Sequence, residues 1–173
     1  MVVHTRAVAE VEPAARGLDE LYVRHAPAAF RTAYFLTGDR DQAEDLVQDA
    51  FVRVAGRFRH LRAPEAFDTY LRRTIVNLFT SRLRRLRLER AELRRRAGEL
   101  RAGADDPDPT VRDELWSQVR LLPERQRAAI ALRFYEDLSE RETAEVLGCS
   151  TGAVNSLVAH AMANLRERMD GER

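Results

Sequence analysis

The chain has 173 residues, enough for one domain or two small ones, each with a modest core. Hydrophobic residues make up 45% and charged residues 33%, with only 8 Gly and 6 Pro, a balance that fits a mostly helical globular protein and excludes fibrous or low-complexity chains. The formal net charge of +1 conceals segregation: Arg72 to Arg101 holds 11 Arg against 3 Glu, a net of +8, and Gly103 to Glu114 holds 5 Asp or Glu against one Arg, a net of −4. Such asymmetry points to a surface for a polyanion beside an acidic tether.

A single cysteine, Cys149, excludes an internal disulfide and fits a reducing cytoplasm. No apolar run reaches transmembrane length, and Met1 to Arg16 lacks the hydrophobic core of a signal peptide, so a cytoplasmic protein without membrane insertion is expected. All 29 basic residues are Arg, which GC-rich codon usage explains as well as phosphate binding does. His4, His25, His60 and His160 show no metal-ligand spacing, and neither a Gly-rich phosphate loop nor a nucleophile with its base is present. Neither a metal, nor a cofactor, nor catalysis is expected.

Residues 1–17 show no periodicity and are expected to form a flexible leader. From Leu18, the positions Leu21, Tyr22, His25, Ala29, Ala33 and Leu36 mark a helix that Thr37-Gly38-Asp39 stops. Ala43, Leu46, Val47, Ala50, Phe51 and Val54 form the apolar stripe of a second helix, which Gly56 ends. Pro64 opens a long third helix with Phe67, Tyr70, Leu71, Ile75, Leu78 and Leu86 on its inner side and arginines over much of the rest. Residues 103–109, with four acidic or glycine positions and two prolines, form the clearest linker. Val111, Leu115, Val119 and Leu122 begin a second helical unit, in which Trp116 is expected in the core, and Pro123-Glu124 opens a further helix through Tyr135.

Ser139-Glu140-Arg141-Glu142 has the S-x-x-E form of a capping box, and Gly148 is placed to end the short helix it starts. Cys149-Ser150-Thr151 then gives a turn and a second N-cap, with Cys149 a small, partly buried turn residue. Val154, Val158, Ala161, Leu165 and Met169 trace one face of a longer helix. A short helix, a turn with Gly and a longer amphipathic helix make a helix-turn-helix, whose second helix fits the DNA major groove. The fold class expected is all-α: two small helical domains, residues 18–88 and 111–170, joined by an acidic, Pro-containing linker over residues 89–110.

Three stretches in this order resemble the sigma-70 family of bacterial RNA polymerase subunits, of the compact extracytoplasmic-function type: residues 43–51, residues 67–78, and Leu122-Pro123-Glu124-Arg125-Gln126-Arg127 with the helix-turn-helix behind it. The resemblance implies that residues 43–51 bind the polymerase clamp, with Glu44, Asp45, Leu46, Gln48, Asp49, Phe51 and Arg53 as the contact set; charge alone would favour a solvated face for the acidic residues over an interface. It implies capture of the promoter's minus-ten element by Arg59, His60, Arg62, Tyr70, Arg72, Arg73, Asn77, Arg84 and Arg85, where Arg groups hold phosphates and aromatic faces stack on unpaired bases. Core packing is the alternative for Tyr70, and a structural role the alternative for Asn77.

For the minus-thirty-five element, it implies contacts from Ser150, Thr151, Gly152, Asn155, Ser156, Ala159 and His160, among which Asn155 is suited to a bidentate pair with adenine. Many family members carry Thr, Lys and Arg where this chain has Ala153, Asn155 and Leu157, so its recognition helix is weakly basic before Arg166. The partners implied are the clamp and flap of core RNA polymerase, promoter DNA as duplex and single strand, and an anti-sigma factor, with the linker passing through the polymerase interior. The competing reading is a free-standing dimeric helix-turn-helix regulator, which would bind a palindromic duplex without polymerase. The sequence leaves open whether the two helical units touch; an arginine helix wholly buried against the C-terminal unit, with no basic surface left, would rule out the division of labour.

Overall fold

The computed structural model describes residues 13–56, 64–97 and 113–171, and among these there is no strand. Three helices form the first unit: α1 (Pro13–Thr37), α2 (Arg40–Ala55) and α3 (Pro64–Ala97). Helix α1 begins inside the stretch expected to be an unstructured leader, because Pro13 suits a first helical position and Ala14, Ala15 and Arg16 are good helix formers. Gly38, at φ +69°, turns the chain, and Asp39 caps α2 by accepting the Gln42 amide at 2.8 Å.

Ala29, Ala33 and Leu36 of α1, the six stripe residues of α2, and Phe67, Leu71, Ile75 and Leu78 of α3 close on one another as a core. The alanines let α1 and α2 approach closely, and Phe51 and Phe67 fill the space beside them. The inner side of α3 differs from expectation in its second half: Val76 and Phe79 are buried, and Leu86 is exposed. A 34-residue helix is about 51 Å long and a 25-residue one about 37 Å, so α3 outruns the helices it packs on. Its last turns stand clear, with Leu88 and Leu93 on the surface. Of the linker expected over residues 89–110, residues 89–97 continue α3 as helix, and residues 98–110 lie outside the described residues.

The second unit consists of α4 (Asp113–Arg120), α5 (Glu124–Ile130) continued by a π-helical turn (Ala131–Tyr135), α6 (Glu140–Leu147) and α7 (Thr151–Gly171). The capping box is formed as its spacing requires: Glu142 N–H donates to Ser139 Oγ at 3.2 Å, and Ser139 N–H to the Glu142 carboxylate at 2.8 Å. Gly148, at φ +61°, ends α6, and Ser150 caps α7 through the Ala153 amide. Val119, Leu122, Ile130, Ala161 and Leu165 form a core, while Leu115 and Met169 are exposed.

The two units pack together. Ala128, Ala131, Leu132 and Val146 join the core of the first three helices. Trp116 packs, half-buried, against the core of its own unit as expected, and also meets Phe35 of α1 edge-on at 4.6 Å. Arg127 of α5 is buried and donates through Nη1 to the Leu36 carbonyl at the end of α1, 2.8 Å away. The contact does not consume the basic helix: Arg73, Arg84, Arg85, Arg87, Arg90 and Arg95 are exposed, so the condition that would rule out a nucleic-acid surface is not met.

Candidate nucleic-acid and polymerase interfaces

Burying the apolar stripe of α2 against α1 and α3 turns its charged side outward by helical geometry alone. Glu44, Asp45, Gln48, Asp49 and Arg53 are all exposed there, joined by Val52, which is 73% exposed. Arg40 pairs with Glu44 and Arg82 of α3 with Asp49, both at the surface. Leu46 and Phe51 do not belong to this face: they are buried at 0% and 6%, as stripe positions of the bundle, and drop out of the contact set as a correction. Phe51 spends its ring on Tyr22 and Phe67 instead.

On α3 the expected strand-contacting residues divide. Arg84 and Arg85 are exposed, with Arg85 paired to Glu89. Tyr70 is half-buried against the core, and Asn77 is exposed. Arg59, His60 and Arg62 lie outside the described residues. Arg72, Arg73, Asn77 and Arg84 share one feature that helical periodicity does not reveal: they border the seam with the second unit. Asn77 and Arg84 line a small groove of about 80 Å³ with Glu124, Arg125 and Leu147. A Cβ on Gly148 would lie 3.2 Å from an Arg73 guanidinium nitrogen. Arg72 pairs with Asp68 on its own helix and reaches Glu136 of the second unit at 3.3 Å.

Glu136 and Thr32, which complete this cluster, were missed by sequence reasoning. Thr32 sits on α1 as an ordinary helical position, and Glu136 sits in a connection; no local pattern marks either as a partner of an arginine far away in the chain. Thr32 Oγ1 donates to Glu136 Oε1 at 2.8 Å. Glu136 follows the π-helical turn and precedes Asp137, a non-glycine residue at φ +53°, and this irregular backbone aims its carboxylate at α1 and α3.

Helix α7 buries Val154, Ala161 and Leu165 and presents the opposite side. Ser150, Thr151, Gly152, Asn155, Ser156, Ala159 and His160 are all exposed, on neighbouring turns of its N-terminal half. Asn155 donates from Nδ2 to a Glu140 carboxylate oxygen at 3.2 Å, across the helix-turn-helix. Cys149 is free and half-buried in the turn. Among the described residues no cluster of His, Cys, Asp or Glu has a metal-binding arrangement, and no single helix is long and apolar enough to cross a membrane.

An all-helical pair of units, one with an acidic and a basic face and one presenting a helix-turn-helix, defines a DNA-directed protein with a macromolecular partner. Residues 21–89 match the Sigma-70 region 2 family and residues 112–165 match the Sigma-70, region 4 family. The RNA polymerase sigma-E factor of Streptomyces avermitilis is 35% identical over 154 residues, covering 87% of this chain and 84% of that protein. Its counterpart in Streptomyces coelicolor is 34% identical over 153 residues, covering 87% and 85%. The sigma factor RpoE of Bartonella quintana, solved in complex with the anti-sigma factor NepR, superposes with a TM-score of 0.68 at 23% identity, over 91% of this chain and 99% of that one. The chain belongs to the sigma-70 family, as an extracytoplasmic-function RNA polymerase sigma factor rather than a free-standing regulator.

Proposed function

We propose that the two units divide promoter recognition as follows. The exposed acidic face of α2, with Glu44, Asp45, Gln48, Asp49 and Arg53, docks on a basic surface of the polymerase clamp, where opposite charge speeds and orients association. The basic side of α3, with Arg72, Arg73, Asn77, Arg84 and Arg85, follows the backbone of the opened minus-ten strand. The outer face of α7, with Ser150, Thr151, Gly152, Asn155, Ser156, Ala159 and His160, enters the major groove of the upstream duplex. The exposure of every one of those α7 residues on a single face, backed by a buried stripe, is the observation that carries the reading.

The chain works as a cytoplasmic, non-catalytic subunit. Separating ten base-pair steps costs about 14 kcal/mol at roughly 1.4 each, and specific binding gains only about 4–10 kcal/mol over non-specific binding. A chain of this size therefore opens DNA only with the contacts that core polymerase adds. The RpoE structure, solved with an anti-sigma factor, supports such a factor as a further partner here.

Run-off transcription with purified core RNA polymerase and a library of candidate promoters tests the reading. Initiation that depends on both the chain and a shared pair of upstream elements is the expected result. Duplex binding without polymerase, and no initiation with it, would overturn it.

A further inference from the structure

We propose that the far end of α3, from Leu88 to Ala97, is a further DNA-contacting surface, which grips the phosphates of the duplex just upstream of the opened segment without reading its sequence. The inference rests on the strand-binding reading of α3 and extends it to a second form of DNA. Helical geometry supplies the first observation. Arg73, Asn77, Arg84 and Arg95 stand four, seven and eleven residues apart. At about 3.6 residues per turn they stay within roughly 40° of one line along the helix. All four are exposed, and Leu86 and Leu93, which continue the core side, lie opposite them. From Arg73 to Arg95 the line is about 33 Å long at roughly 1.5 Å per residue, the rise of about ten base pairs.

The composition of this end names the ligand. From Arg82 to Ala97 the helix is built of Arg, Leu, Glu and Ala alone, with 8 Arg against 2 Glu, a net of +6. Both acids are neutralised within the helix: Glu89 pairs with Arg85 at 3.1 Å and Glu92 with Arg95 at 3.0 Å. Exposed pairs of this kind are weak, so Arg95 exchanges Glu92 for a phosphate readily. Arg90 is exposed and forms no ion pair among the described residues. The stretch offers no aromatic ring to an unstacked base and no amide or hydroxyl to a base edge. A phosphate backbone is what remains for it to hold.

Stiffness favours duplex over single strand. Helix α3 runs unbroken to Ala97, and duplex DNA is stiff on a scale of about 150 base pairs, so the two lie side by side where a flexible strand turns away. The chain continues from the end of α3 to the unit that docks on the upstream element, which directs this end upstream. The first residues of the expected tether, 89–97, are therefore a rigid arm.

The test uses holoenzyme assembled from core RNA polymerase and the full chain, titrated by fluorescence anisotropy against two labelled DNAs over a range of salt. Both carry, as single strand, the minus-ten segment of a promoter selected in the run-off assay. One adds a short upstream duplex arm that lacks the upstream element; the other has no arm. Arg90→Gln combined with Arg95→Gln preserves helix propensity, and circular dichroism confirms the fold. This double variant is expected to bind the forked DNA roughly tenfold more weakly and to lower the slope of log K against log salt by about 2. The loss is expected to be equal for two unrelated arm sequences and absent on the armless strand. Arg90→Lys with Arg95→Lys is expected to restore binding, because a phosphate accepts either cation.

Unchanged affinity and slope for the double glutamine variant, an equal loss on the armless strand, or a loss confined to one arm sequence would overturn the proposal. The unsubstituted holoenzyme on the armless strand separates the two levels. Retention of that strand, weakened by Arg73→Gln, alongside a silent double variant defeats the duplex contact alone. No retention, or retention indifferent to Arg73→Gln, defeats the strand-binding reading beneath it.

Discussion

Asn155 of the recognition helix donates its side-chain Nδ2 to the carboxylate of Glu140 at 3.2 Å. A carboxylate only accepts, so the contact fixes which end of the amide is which: Oδ1 is left free to accept, and the second Nδ2 proton free to donate. That is the donor–acceptor pair needed for the N6 and N7 edge of adenine. Asn155→Ala is therefore expected to relax preference for one base of the upstream element by about 1–3 kcal/mol, roughly tenfold or more, and leave other positions unchanged. Glu140→Ala is expected to weaken the same preference less, because it frees the amide to rotate. Selection of promoter variants by the assembled polymerase reads both. A uniform loss across all positions would mean that Asn155 acts through helix stability instead.

The start of α6 carries a pH dependence whose sign follows from its cap. The Ser139 hydroxyl and then its backbone N–H, by bonding the Glu142 carboxylate, hold that group below the ordinary glutamate value of 4.5. A carboxyl whose value is depressed by folding stabilises the fold above its unfolded value, and that contribution disappears as pH falls through the folded one. Thermal unfolding should therefore lose a small increment as pH drops below 4.5. Ser139→Ala should lower Tm by about 2–4 °C at neutral pH, the usual cost of a lost cap in a chain of this size, and flatten the acid dependence. Differential scanning calorimetry across that range checks both.

Much of the architecture could be read from spacing. The stripe of α2 matches the six buried residues that the structure shows, and the S-x-x-E sequence at Ser139 forms the capping box it promises. These features are local: apolar period and cap chemistry act within a few residues, where sequence order reports them. The seam between the units depended on pairs such as Thr32 with Glu136 and Phe35 with Trp116, and no periodicity specifies a partner on a distant helix. Leu86 was misplaced for a related reason, since a helix's apolar side shows what it could bury and not how far its neighbours extend. The exposed face of α7 followed once its buried stripe was known, because the two are complementary on any amphipathic helix.

Arg127 is a buried cation in the seam. Burial, with the nearby charges of Arg120 and Arg87, lowers its value to about 10, so the guanidinium still carries its proton at neutral pH. It spends that charge on carbonyl groups: Leu36 at 2.8 Å, and those of Arg120 and Leu122. It also lies 5.4 Å from the centre of the Phe79 ring. Arg127→Ala would strand these acceptors and open a gap between α1, α3 and α5, with an expected loss of about 2–4 kcal/mol. Arg127→Lys should recover part of this, since one ammonium cannot match the guanidinium's fork of donors. Urea unfolding of the full chain gives the values, and a loss below about 0.5 kcal/mol for Arg127→Ala would mean that the seam contributes little to stability.

Gly152 separates folding from function in the opposite direction. It occupies the first turn of α7 and is exposed, and a Cβ built there meets nothing nearer than the Ser150 hydroxyl at 3.9 Å. Its φ is an ordinary one, so alanine fits without strain and should stabilise the helix by about 0.5–1 kcal/mol through lower backbone entropy in the unfolded chain. Close approach of DNA to the backbone would account for a glycine at an exposed helical position where alanine would be more stable. If DNA is what comes close, Gly152→Ala should raise Tm by about 1–4 °C and at the same time reduce initiation at promoters that depend on the upstream element. Thermal melting and run-off transcription on one preparation measure the two together. A more stable variant with unchanged promoter use would remove Gly152 from the duplex contact and move the groove-facing surface toward Asn155 and His160.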